Sequence, residues 1–346
     1  MNAKRVERGA LGAEALGGAL LARDLRDASG RVVFHKGRAL AESDREALCE
    51  LAWDELHLVW IEPGELHEDA AGERLARVAA GDGTTVGALG GGHWPIRTTR
   101  RGILVVRVDA LTEVNAVEGL GVYTLYDGQV VEKDEVIARA KIHPFAISAD
   151  RVERAERLAG DARGLVLVRP FLSRTVGVVV QESLGTGALA RFREAIGEKV
   201  AWFGGTLLEP ALAMPKTAPV SEALERLLAR GAQLLVVAGS RPMDPLEPVY
   251  EALAVAGASF VRRGVPAHPG SLFWLAELRG VPVLGMPSCG LFSRATIFDL
   301  ILPRLLAGES IGAPELAALG HGGFLTRDMA FRFPPYRPAR ERGEVE

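Results

Sequence analysis

An α/β protein is the class this sequence predicts: a mostly parallel sheet with helices on both faces, preceded by a smaller mixed α+β, β-rich region. Three observations carry the expectation. Between residues 170 and 310, short β-branched or apolar runs alternate with stretches of helical spacing, the pattern of βαβ units joined by right-handed crossovers. Val176–Val180 is apolar throughout, as expected of a strand buried on both faces. Between residues 64 and 160 the runs are short and broken by turns such as Asp127-Gly128, a hairpin signal.

Composition narrows the function classes. The chain has 346 residues, 48% hydrophobic and 25% charged, which is ordinary for a globular protein and long enough for two or three domains. Lys and Arg number 41 against 44 Asp and Glu, a net charge of −3, so no global basic field recruits nucleic acid or an anionic membrane. Aromatics are 6%, few for a single-strand nucleic-acid platform. Two cysteines, Cys49 and Cys289, make neither a disulfide framework nor a Cys-rich metal site. Residues 1–21 carry Lys4, Arg5, Glu7, Arg8 and Glu14 and have no compact apolar core before a cleavage site, so no signal peptide is expected. No uncharged apolar run reaches membrane-spanning length, and a reducing cytoplasm is the simplest location.

Four stretches are expected along the chain: 1–63, a mixed α/β segment; 64–160, a β-rich module; 170–310, the α/β domain; and 311–346, a partly flexible extension. In the first, residues 25–34 read as a strand pair around Ser29-Gly30, Ser43 as the cap of a helix with Glu46 completing a capping box, and 55–61 as a half-buried strand. A helix over 66–79 follows. Strands are expected at 102–108, 121–126 and 136–142, then a helix at 149–159. In the α/β domain, strands are expected at 176–180, 205–208, 234–238, 259–262 and 281–286. Helices are expected at 188–196, 220–230, 248–256 and 272–278, with a last one ending near Ala307. The tail is Pro-rich and charged and is expected to fray.

In an open parallel sheet, ligands bind beyond the carboxyl ends of the strands, so the loops after the strands matter most. The first holds Ser183, Gly185, Thr186 and Gly187; the second Gly239, Ser240, Arg241, Asp244 and Glu247; the last Pro287, Ser288, Cys289 and Gly290, with Ser293 and Arg294 just beyond. Pro269, Gly270 and Ser271 form a further turn. Glycines bring backbone N–H groups close to a ligand and hydroxyls add donors, which suits an anion; turns of any α/β fold are also rich in Gly and Ser. Asp244 and Glu247, three apart at a helix start, read either as a metal or base site or as acids offsetting the helix dipole. Cys289 reads more simply as a small, partly buried hydrophobe than as a nucleophile. Gly87 to Trp94 leads into a β region and fails as a nucleotide fingerprint, and no zinc, Walker A or GxSxG pattern is present.

From about Thr175 to Gly308 the chain resembles the molybdopterin-binding fold shared by molybdopterin molybdotransferase and molybdopterin adenylyltransferase. The residues that carry the resemblance are TVGVVVQESLGTG, LLVVAGSRPMDPLEPVYEAL and PGSLFWLAELRGVPVLGMPSCGLFSRATIFDLILPRLL. Asp244 corresponds to the family's acidic residue and Pro269-Gly270 to its Pro-Gly. Ala238-Gly239 replaces a Gly-Gly pair, and Met286-Pro287-Ser288-Cys289-Gly290 replaces Leu-Pro-Gly-Asn-Pro, which places side chains where the family has bare backbone. The front of the chain, including GRVVFHKGRAL and GLGVYTLYDGQVVEKDEVIARAKIHPF, is similar to bacterial molybdopterin-binding proteins.

The resemblance implies a protein that binds molybdopterin or molybdenum cofactor in its biosynthesis, storage or delivery, with a client molybdoenzyme or maturation enzyme as partner. The alternatives are an adenylyl- or molybdo-transferase, with Mg²⁺ at Asp244, and a non-catalytic scaffold that keeps the fold. A homo-oligomer is compatible with each.

Overall fold

The computed structural model describes residues 1–181, 185–287 and 296–336. Backbone proximity divides the chain into two compact units: 1–99 with 106–125 and 133–167, and 100–105 with 126–132 and 168–346.

The second unit is built on a seven-stranded sheet. In chain order its elements are β1 (Thr175–Val180), α1 (Thr186–Trp202), β2 (Thr206–Leu207), β3 (Ala211–Leu212), α2 (Thr217–Ala229), β4 (Leu234–Ser240), α3 (Pro248–Val255), β5 (Ser259–Arg263), β6 (Trp274–Leu278), β7 (Val281–Pro287), α4 (Ile297–Leu306) and α5 (Ala313–Ala318). The strand order is β2-β1-β4-β7-β6-β5, with β3 also paired to β1. β1 pairs parallel with β2, β3 and β4, and β4 pairs parallel with β7. β6 runs antiparallel to both β7 and β5, so the sheet is mixed.

That reversed strand corrects the helix expected over 272–278. Leu278 pairs with Val281 across the two-residue turn Arg279-Gly280, whose φ values are 53° and 77°. Two successive left-handed residues give the hairpin turn that matches strand twist. The segment is buried on both faces of the sheet, with Phe273 and Leu275 in one hydrophobic cluster and Trp274, Ala276 and Leu278 in the other. Its apolar run therefore carries no alternation to mark it as a strand. Gly285 is required by the pairing: a Cβ there would stand 1.7 Å from Cε2 of the Trp274 indole.

Side-chain alternation assigns the two faces. Val176, Val178 and Val180 of β1 join Leu234 and Val236 of β4 in a cluster with α1 and α4. Val179, Leu235 and Val237 join α2 and α3 on the other side. Each such fully buried aliphatic side chain contributes about 1.5–3 kcal/mol of transfer free energy, so the two clusters clamp the sheet between helix pairs.

The first unit holds two bodies of packing. Asn2–Glu7, Glu55–Trp60 and Leu20–Leu21 form a three-stranded antiparallel sheet with Glu55–Trp60 in the middle. Leu25–Arg26 pairs with Val32–Phe34 as expected. Beneath these strands lie Val6, Leu16, Leu48, Leu56 and Leu58. The cap expected of Ser43 is not made: the Asp44 carboxylate accepts the Ala41 N–H at 2.9 Å instead, and the α-helix begins at Arg45. Farther on, a four-stranded sheet orders Leu120–Thr124, Val136–Ile142, Trp94–Thr98 and Thr84–Val86. Strands 120–124 and 136–142 pair antiparallel. The expected turn forms at Asp127-Gly128, where the Gln129 N–H donates to the Tyr126 carbonyl at 3.2 Å and Gly128 has φ 77°. A second turn at Lys133-Asp134, with Asp134 at φ 67°, leads into 136–142. Residues 126–132 belong to the second unit, where Val130–Val131 pairs with 102–103.

The helix Glu68–Ala79 is joined to Ala149–Asp161 by Arg74, which bonds both oxygens of Glu156 at 2.7 and 2.6 Å. Gly72 lets the Trp94 indole cross the helix, since a Cβ would meet its Cδ1 at 2.8 Å. The strand expected over 102–108 ends at Val106, and a short helix that was not expected follows at Val108–Asn115. The Gly-rich stretch at 87–94 is the hairpin between Thr84–Val86 and Trp94–Thr98, with Gly91 and Gly92 at φ 59° and 74°.

Candidate functional site

The carboxyl ends of β1, β4 and β7 are neighbours on one rim of the sheet, because these three strands are adjacent and parallel. Their loops carry most of the expected site residues. Ser183, Ser288, Cys289, Gly290, Ser293 and Arg294 lie outside the described residues.

After β1, Gly185 is the N-cap of α1, with φ −60° and ψ 154° and no capping side chain. Gly185, Thr186 and Gly187 are exposed, and the first turn of this 17-residue helix contains no acidic residue. Its orphan N–H groups and the positive end of its dipole are thus uncompensated by side chains within the helix.

After β4, Gly239 turns the chain at φ 80°, and Ser240 is buried, pairs with Pro287 in the ladder and donates to the Met286 carbonyl at 3.4 Å. Arg241 is exposed and makes no ion pair among the described residues. Asp244 and Glu247 were expected to share a helix face; they do not. The helix begins at Pro248, the start expected for it, so both acids precede it. Asp244 N–H donates to the Arg241 carbonyl and Glu247 N–H to the Asp244 carbonyl, in two successive turns. These turns leave Asp244 at the surface, its Oδ1 accepting the Leu246 N–H at 2.9 Å. Glu247 turns inward and is 3% exposed.

The Glu247 carboxyl accepts from Gln181 Nε2 at 3.0 Å and from the Arg241 N–H at 3.1 Å. It therefore ties the second loop to the end of β1. Burial pushes its acid–base equilibrium above the usual carboxylate range, the Arg241 N–H and guanidinium oppose that shift, and the Asp244 charge adds to it. Tyr250, one turn into α3, supports the loop from beneath by donating to the Pro242 carbonyl at 3.1 Å.

Pro269 and Gly270 lie between β5 and β6. The Pro269 carbonyl accepts the Ile297 N–H at 3.2 Å, and Gly270, at φ 113°, lies so close that a Cβ would stand 2.4 Å from Ile297 Cγ2. This turn therefore abuts the start of α4. Ser271 is exposed, and its carbonyl accepts the Val265 N–H.

The expectation of Mg²⁺ at Asp244 finds no support: among the described residues, no group of three or more His, Cys, Asp or Glu side chains could hold a metal ion. No described helix is long and apolar enough to cross a membrane.

Two features were missed in the sequence. One is Gln181, 3% exposed, whose Oε1 is buried without a hydrogen-bond partner among the described residues. The other is a buried cluster at the start of α4. There Lys199 Nζ lies 2.6 Å from Asp299 Oδ1, the Tyr336 hydroxyl donates to the same oxygen at 2.8 Å, and the Thr296 N–H and Oγ1 donate to Oδ2 at 3.0 and 3.2 Å. Burial and the Asp299 charge hold the Tyr336 phenol well above its ordinary value. The Thr-x-x-Asp spacing of a capping box was the one available signal for Asp299; nothing in the sequence joins it to Lys199, a hundred residues away.

No family model matches the chain, and no curated protein matches it. Solved structures do. A molybdopterin biosynthesis MoeA protein from Pyrococcus horikosii is 13% identical, covers 70% of this chain and 79% of its own, and has a TM-score of 0.30. A protein from Corynebacterium diphtheriae, described as a molybdenum cofactor biosynthesis protein, is 16% identical over 42% of this chain and 98% of its own, with a TM-score of 0.28. The CinA protein of Thermoplasma acidophilum, of unknown function, is 13% identical over 34% and 89%, also at 0.28. TM-scores this low carry no argument about fold or function.

Proposed function

We propose that this chain binds a molybdopterin-type ligand, a pterin bearing an anionic phosphate, at the rim above β1, β4 and β7, and serves the biosynthesis, storage or delivery of molybdenum cofactor. The observation that carries the reading is the exposed, acid-free and uncapped first turn of α1, one strand away from the exposed Arg241. N–H groups at a helix start bind phosphate through hydrogen bonds and dipole together, and Arg adds a forked cationic donor. The motifs shared with the molybdopterin-binding fold fall on these same loops and supply the pterin half of the proposal. A client molybdoenzyme is the partner this role requires.

Titration of the purified protein with a fluorescent phosphorylated pterin tests the reading. Saturable binding that weakens as salt rises supports it, and absence of binding overturns it. Product formation that depends on ATP and Mg²⁺ would replace the carrier by a transferase.

A further inference from the structure

Glu247 is a carboxyl group taken almost wholly out of water with no cation in ion-pair contact among the described residues. An ionised carboxylate in that position is costly, and such groups take up a proton instead. Its neighbour carries the complementary defect. Gln181 donates through Nε2 to Glu247 Oε1, while its own Oε1 is buried with nothing to accept. A lone buried acceptor costs about as much as a lost hydrogen bond.

One proton removes both defects. A neutral carboxyl can face a primary amide in a closed ring, the amide N–H donating to the acid carbonyl and the acid O–H donating to the amide carbonyl. Glu247 Oε1 already accepts the first of these bonds. Placed on Oε2, the proton would turn to Gln181 Oε1, and Oε2 would still accept the Arg241 N–H through its remaining lone pair.

We propose that Glu247 is held as a neutral acid in a cyclic pair with the Gln181 amide, and that this proton fastens the 241–247 loop to the end of β1 in the form that presents Arg241 to an anionic ligand. This deepens the ligand reading and rests on it. Glu247 is a positioning residue: it acts through the Arg241 backbone. Among the described residues, the groups that face it are Gln181 at the end of β1, Arg241 and Asp244 from its own loop, and Tyr250 from α3. Arg241 favours the ionised form, whereas the Asp244 charge and the apolar surroundings favour the neutral one. Loss of the proton leaves a bare charge beside a bound anion and removes one bond of the ring, so the loop loosens and repulsion appears together.

The test uses the full-length protein with ¹³C-labelled glutamate carboxyls, the Glu247 resonance being assigned by its absence in Glu247→Gln. A second readout is the affinity for 6-hydroxymethylpterin phosphate between pH 5 and 9, in wild type and in Glu247→Gln. The expected result is a Glu247 resonance that remains in the neutral form above the ordinary carboxylate range. Above that transition the wild-type affinity should fall relative to Glu247→Gln by about tenfold per pH unit, as one linked proton requires. The phosphate's own ionisation is common to both proteins and cancels in the ratio. A Glu247 resonance that titrates with the surface glutamates overturns the inference, and so does a constant affinity ratio. A high Glu247 transition without any pterin binding sinks the ligand reading and the loop's role with it, but leaves the cyclic pair standing.

Discussion

Among the described residues of the second unit two carboxylates are buried, and they are buried on different terms. Asp299, fully inaccessible, receives Lys199, the Tyr336 hydroxyl and two donors of Thr296. Glu247, 3% exposed, receives an amide N–H and a backbone N–H and, among the described residues, no cation. The first is a closed constellation in which charge is balanced and every donor has a place. The second sits at the proposed ligand rim with no ion-pair partner among the described residues and with the Gln181 Oε1 acceptor beside it unused. Structure alone explains Asp299: it caps α4, draws α1 to it through Lys199 and anchors the chain at Tyr336. Glu247 has a further consequence, because its charge state can change where a ligand would approach.

The largest effect should come from opening the closed constellation. Lys199→Met leaves Asp299 buried and without its cation, and removal of one partner of a buried pair costs about 3–5 kcal/mol. Urea denaturation at pH 7 measures it. A loss below about 1 kcal/mol would erase the contrast between the two sites.

Next in size is a change at the rim that should spare the fold. Arg241→Glu reverses an exposed charge, so affinity for a phosphorylated pterin should fall by at least about tenfold, near 1.4 kcal/mol, with the melting temperature almost unmoved. Unchanged affinity would make Arg241 a surface residue and nothing more.

Tyr336→Phe removes one hydrogen bond to a charged acceptor and should cost about 1.5–3 kcal/mol at most, less if water replaces the hydroxyl. The phenol's raised value has a sign to check. The folded state holds this proton more tightly than the unfolded chain, so its contribution is complete below the ordinary phenol value and is lost as pH climbs toward the raised one. Wild type should therefore lose stability at alkaline pH faster than Tyr336→Phe, as paired denaturation curves would reveal.

Glu247 should behave in the same sense at lower pH. Its raised value means that its contribution is fully present below the ordinary carboxylate value and declines as pH rises through the raised one. Glu247→Gln should flatten that slope. The smallest effect is expected of Asp244→Asn, which keeps an acceptor for the Leu246 N–H and should cost no more than about 1 kcal/mol. If the protein is a carrier, pterin affinity should be equal or slightly higher in this variant; loss of an ATP- and Mg²⁺-dependent turnover would mark a transferase.

The sheet was largely legible because strands buried on both faces leave uninterrupted apolar runs, as at Val176–Val180 and Leu234–Ala238. The same property hid β6: Phe273 to Leu278 has no alternation, and only the Arg279-Gly280 turn distinguishes a hairpin from a helix. The rim loops could be located from their glycines and hydroxyls. What those residues could not give is which acid faces inward. Asp244 and Glu247 differ by one turn of backbone, and burial decides between them. Gln181 was passed over because a glutamine at a strand end has no signature until its partner is known. Lys199 and Asp299 meet only after the sheet places α1 and α4 on the same face, and Tyr336 came from a tail whose composition promised fraying.

Hydrogen exchange with and without 6-hydroxymethylpterin phosphate tests most directly whether the rim is where this chain binds. Ligand should slow exchange in peptides covering 185–189 and 239–247, and leave the strands of the first unit and the Lys199–Asp299 cluster as they were. Protection confined to the first unit, or no protection at a ligand concentration that saturates fluorescence, would contradict the account.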